Sequence, residues 1–381
     1  FSTGITTCGA SGSISIGTGS ACNGDGGDIM IKVGDGNTLD GGHVFLFAGK
    51  TVATADSTGG SISIRSGYSL LRSSGTINIR TLNAGTLGVS GELMFSTGTT
   101  SCGGSGSISI GTGTASEGDG GDITIKVGDG NTLDGGHISV FAGKTDADGD
   151  TGATGGSISI RSGFSTESSS GTIIIRTLNA GTKGVSGELM FSTGITTCGA
   201  SGSISIGTGT AAIGEGGDVF VSVGDSNHQP GGMMSLKAGT TSAGENGGEI
   251  LIESGKTNGA SGTGGVMNLN AGQSQNVVGG YFSVSAGQGG TIGGKIKLVA
   301  GTGVANTGGM ISLLSGVGTD TTSGQIQIRS PDAGTNGVSG ALVFSSGITT
   351  CGGSGSISIG TGTACNGDGG DIMIKVGDGN T

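Results

Sequence analysis

Aliphatic residues along this chain come in pairs separated by a single residue: Ile14 and Ile16, Ile29 and Ile31, Val44 and Leu46, Ile62 and Ile64, Ile77 and Ile79, Leu93 and Phe95. Side chains at i and i+2 share one face of a strand, so each pair predicts a short strand with an apolar side. The next inward position is smaller (Thr18, Val33, Ala48, Ser66, Thr81, Thr97), and a glycine usually follows it. Between one such segment and the next lie Gly, Ser, Thr, Asn and Asp, the residues that favour turns, with small apolar residues such as Ala21, Cys22, Leu39, Ala53, Leu70, Ala84 and Ala115 among them. The unit reads GGxΦxΦxxG or SGxΦxΦxxG, with Φ aliphatic or Phe. It recurs 24 times from Gly12 to Gly370, mostly in steps of 15 or 16 residues.

A strand of about seven residues spans roughly 23 Å, and the rest of such a unit is long enough to return to its start. The expected fold is therefore all-β: a parallel β-solenoid, or β-helix, of about 24 coils with a narrow two-walled cross-section. Coils stacked about 4.7–4.9 Å apart would make a rod of roughly 115 Å. Its core ladder would start with Ile14, Ile16, Ile29, Ile31, Val44, Leu46, Ile62 and Ile64. Each coil buries too little to hold itself, so stability would belong to the stack.

Above the unit lies a longer repeat. FSTG opens at Phe1, Phe95 and Phe191 and FSSG at Phe344, which gives blocks 1–94, 95–190, 191–343 and 344–381. The last block repeats residues 1–38 with three changes, Thr3 to Ser346, Ala10 to Gly353 and Ser20 to Thr363. The expectation is one continuous solenoid over 1–381, cut from a longer chain with a 343-residue superrepeat and continuing end to end.

Composition narrows the classes. With 92 glycines, 2 prolines and no period of three, collagen is excluded, and 32% hydrophobic residues in ordered positions argue against a disordered chain. A net charge of −11, with no clustering of basic and aromatic residues, is a poor match for nucleic acid. No run approaches the length of a membrane span.

Candidate chemistry is sparse. Cys8 and Cys22, like Cys351 and Cys365, are 14 residues apart, close to one coil, so stacking would bring each pair within disulfide reach; small buried cysteines are the alternative. Bridges would imply an oxidising compartment. Cys102 and Cys198 have Ser116 and Ala212 where a partner would be. Arg65 with Arg80, and Arg161 with Arg176, would stack on outward positions, either screened by water or bridged by an anion such as an acidic polysaccharide. Asp28 with His43, and Asp122 with His137, would form structural ion pairs; no nucleophile accompanies them. The GDGGD segments at 24–28, 118–122 and 367–371, and Asp146, Asp148 and Asp150, lack the remaining ligands of a calcium loop and read as solvated turns. Met30, Phe45 and Phe47 form an outward apolar cluster suited to lateral contact, with Phe141, Met190 and Phe220 at comparable places.

Units such as SGSISIGTG and GGDIMIKVG resemble those of the long Gly/Ser/Thr-rich repeat proteins of marine microalgae and, more broadly, of repetitive β-solenoid surface proteins and adhesins. The resemblance spans the whole chain. It implies an extracellular or cell-surface fibre, appendage or wall component, and carries over no catalytic residues. The expected function is a structural filament assembled from copies of itself, with an adhesin or glycan-binding rod as the alternative. No enzymatic activity, cofactor, metal, nucleic acid or membrane span is expected, and an anionic polysaccharide is the candidate partner besides the chain itself.

Overall fold

The computed structural model describes residues 1–52, 57–146, 153–242, 244–258 and 261–378. Its contacts divide the chain into two units, Phe1–Met190 and Phe191–Thr381, and the boundary falls where the third superrepeat block opens.

The expected β-solenoid is not what the chain forms. Among the described residues there is no helix and no β-strand, so the all-β class, the parallel β-helix and its coil-on-coil ladder are all overturned. A strand is defined by pairing as much as by its own conformation, and the segments that carry the aliphatic pairs have no paired neighbour. Alternation predicts two faces; it does not supply the partner.

The 15-residue pitch itself is present. Among the described residues tight bends fall in the turn-rich parts, at 7–9, 22–24 and 37–39, then at 70–72, 86–88, 101–103, 116–118 and 131–133, and at matching places in the second half of the chain. In many units the two ends of the turn-rich loop meet in a hydrogen-bonded neck. There the marker glycine donates its N–H to the carbonyl of the glycine that ended the preceding segment: Gly42 to Gly34 at 3.0 Å, Gly60 to Gly49 at 2.7 Å, Gly75 to Gly67 at 2.8 Å, Gly265 to Gly255 at 2.7 Å. In the Gly-Thr-Gly units a side chain closes the neck instead, Thr18 Oγ1 donating to the Gly27 carbonyl at 2.7 Å and Thr112 and Thr208 doing the same to Gly121 and Gly217 at 3.0 Å.

The neck explains its glycine. A Cβ on Gly60 would lie 3.1 Å from the backbone nitrogen of Gly49, and a backbone atom cannot swing aside as a side-chain tip can. The bends need glycine for another reason at their last residue in the Cys-containing loops, where Gly9, Gly103, Gly199 and Gly352 have φ between 95° and 113°.

No described side chain is buried, and the core ladder of Ile14, Ile16, Ile29, Ile31, Val44, Leu46, Ile62 and Ile64 is exposed throughout. The half-buried positions are almost all at necks: Val127, Ala238, Ala286, Ala300 and Ser330. The chain exposes 38519 Å². A compact protein of this mass would expose about 13,000 Å² and a fully unfolded one about 52,000 Å². Most of the burial that would fold these apolar segments is therefore not made within one chain.

Candidate interaction surfaces

Two kinds of surface stand out, one apolar and repeated in every unit, the other basic and confined to two places.

The apolar surface follows from the alternation. In several runs of three apolar residues the middle one is the most exposed, as at Ile174, 77% exposed between Ile173 and Ile175 at 50% and 55%. The two faces are thus distinct even without a sheet. Along one outward face His43, Phe45 and Phe47 line up at i, i+2 and i+4, with ring centroids 5.8 Å apart for the first pair and 5.9 Å for the stacked Phe45–Phe47 pair. Same-face side chains two residues apart are what an alternating backbone presents. Met30, expected beside them, is also exposed.

The basic surface is a pair of concavities of about 420 and 410 Å³, lined by Arg176, Thr177, Leu178 and Asn179 and by Arg80, Thr81, Leu82 and Asn83. They occupy equivalent superrepeat positions, and the segment RTLNAGT is identical at 80–86 and 176–182. Each begins where the chain leaves an apolar segment and enters its loop. The methyl carbon of Thr81 packs 3.4 Å from where a Cβ on Gly91 would be, and that of Thr177 lies 3.2 Å from the same point on Gly187, so each concavity adjoins the glycine that opens the next unit. A tight turn follows at 86–88, where the Gly88 N–H meets the Gly85 carbonyl at 3.5 Å. Arg80 and Arg176 were candidates from the sequence, whereas the Thr, Leu and Asn beside them were not. The verbatim heptapeptide was the available signal. Arg65 and Arg161 do not line either concavity.

The remaining candidates sit apart from these surfaces. Cys8, Cys22, Cys102, Cys198, Cys351 and Cys365 are free, exposed thiols in the structure. Four of them crown one recurring loop, in which the Thr two residues before each cysteine turns its hydroxyl back: Thr100, Thr196 and Thr349 donate to the carbonyls of Cys102, Cys198 and Cys351 at 2.8–3.1 Å, and Thr6 to that of Gly9 at 3.0 Å. Asp28 and His43, and Asp122 and His137, are not paired. The ion pairs among the described residues are Lys32–Asp35 at 3.8 Å and Lys144–Asp146 at 2.9 Å, all highly exposed. Asp148 and Asp150, like Ala53, lie outside the described residues. Among the described residues no cluster of three His, Cys, Asp or Glu side chains could hold a metal, and no helix is long and apolar enough to cross a membrane.

No family model matches this chain, and neither a curated protein nor a solved structure matches it.

Proposed function

We propose that the chain is a structural protein, not an enzyme, and that it builds an extracellular fibre by associating with further copies of itself through its apolar segments. The observation that carries this reading is the repeated exposure of the aliphatic pairs, Ile14 and Ile16 through Ile357 and Ile359, with no side chain buried among the described residues. Such a surface is costly to leave in water, and burying the exposed half of one aliphatic side chain contributes about 1 kcal/mol. A second copy suits it because the segments are near-identical, down to residues 344–381 repeating 1–38. The same segments bring backbone donors and acceptors that no strand pairing uses within the chain. Placement outside the cell rests on the likeness of the units to repetitive surface proteins.

Sedimentation velocity and electron microscopy of the purified chain over a range of concentrations test this. Concentration-dependent growth of fibres is expected, accompanied by loss of the apolar exposure that a hydrophobic dye reports. A chain that stays monomeric at high concentration would sink the proposal.

A further inference from the structure

The two basic concavities call for a ligand of their own. We propose that Arg80–Asn83 and Arg176–Asn179 are binding sites for the anionic groups of an acidic polysaccharide, one carboxylate or sulfate to each arginine. The site is distinct from the surface proposed for self-association, since its lining residues follow the aliphatic pairs Ile77 and Ile79, and Ile173 and Ile175, and do not include them.

The charge distribution points to an anion. The protein carries −11 overall and only six arginines, yet five of them, Arg65, Arg72, Arg80, Arg161 and Arg176, fall in residues 57–91 and 153–187. The first of these windows contains no Asp, Glu or Lys and so carries +3; the second adds Lys183 and Glu167 and carries +2. Two basic islands in an acidic chain concentrate anions locally. Neither Arg80 nor Arg176 is ion-paired among the described residues. A guanidinium offers a planar fork of donors that matches a carboxylate or sulfate two-to-two.

The rest of each lining points to a sugar. Beside the arginine stand a hydroxyl, a side-chain amide and one apolar side chain, which together suit ring hydroxyls and a ring face. Volumes of about 410–420 Å³ are on the scale of sites for small organic molecules, well above what a bare inorganic ion needs. Two identical sites on one chain meet a polymer's repeated charges together, which raises avidity without new contacts. The windows hold a single aromatic residue each, Tyr68 and Phe164, too few for the base stacking that single-stranded nucleic acid requires.

The molecule contains its own control. In the third superrepeat block the corresponding residues are Arg329, Ser330, Pro331 and Asp332, which set a carboxylate three residues from the arginine in place of the amide.

The test is binding of the full chain to polygalacturonate, dextran sulfate, neutral dextran and a single-stranded polynucleotide, measured by titration calorimetry at two salt concentrations. Salt-sensitive binding to the first or second probe, and not to neutral dextran, is expected; which of the two binds tells carboxylate from sulfate. Replacing both Arg80→Gln and Arg176→Gln should weaken it about tenfold or more, with Arg→Lys at both positions in between and Arg329→Gln unchanged. Unchanged circular dichroism and sedimentation of these exposed-site variants would show that folding and self-association are intact. The proposal is overturned if the double Gln variant binds as the parent does. It also fails if neutral dextran or the polynucleotide binds equally well, or if inorganic sulfate alone competes as strongly as the polymer at equal anion concentration.

Discussion

The necks and the apolar segments are built from the same unit, yet they end up in different physical states. At a neck the chain meets itself seven to thirteen residues on, for example Gly294 N–H on the Gly287 carbonyl at 2.9 Å and Gly156 on Gly143 at 2.8 Å, and the half-buried side chains gather there. Along the segments between necks the aliphatic pairs are exposed and the backbone is unpaired. The difference is one of range. Closing a short loop costs little chain entropy and is rewarded at once by a hydrogen bond. Ordering an apolar segment is rewarded only when a partner arrives to cover it.

If that contrast holds, the largest effect should come from the segments. Changing Ile14, Ile16, Ile29 and Ile31 to Ser should remove about 1 kcal/mol of association energy per site, and the same block changed in both units should abolish fibres in electron micrographs. Their necks should be untouched, because the neck hydrogen bonds do not use these side chains. Gly60→Ala should do the opposite. Its methyl would press on the backbone of Gly49, costing about 1–3 kcal/mol locally; amide exchange of residue 60 should accelerate while assembly elsewhere persists. Gly103→Ala places a side chain at φ 98°, which costs about 1–2 kcal/mol and should loosen the Cys102 loop, seen as faster alkylation of that thiol than of Cys198. The smallest effect is expected from Thr18→Val, which removes one exposed 2.7 Å hydrogen bond to Gly27 for about 0.5–1 kcal/mol. The Gly27 carbonyl carbon resonance should shift slightly and nothing else should change. Neck variants that dissolved fibres as completely as the Ile→Ser set would erase the contrast.

The arginine concavities fall on the loop side of this division. Arg80 and Arg176 were singled out from the sequence as outward pairs with Arg65 and Arg161, a grouping that depended on stacked coils. The structure regroups them by loop: Arg80 belongs with Thr81, Leu82 and Asn83, residues adjacent in sequence that line one hollow just before the turn at 86–88. Local sequence holds that information in RTLNAGT, while periodicity shows only which residues alternate and not what a loop encloses.

By itself the sequence determined the pitch, the positions of the turns, the glycines at the necks and the sidedness of each apolar segment. All of these follow from steric preferences and hydrogen bonds acting over fewer than about fifteen residues. Whether successive segments pair with one another was decided only at the tertiary level. Alternating Ile14 and Ile16 are equally compatible with a neighbouring coil, a second chain or water, because the hydrophobic effect has no direction and does not name its partner. In this structure the partner is not the next unit of the same chain, and the expected solenoid gives way to closed loops joined by exposed apolar segments.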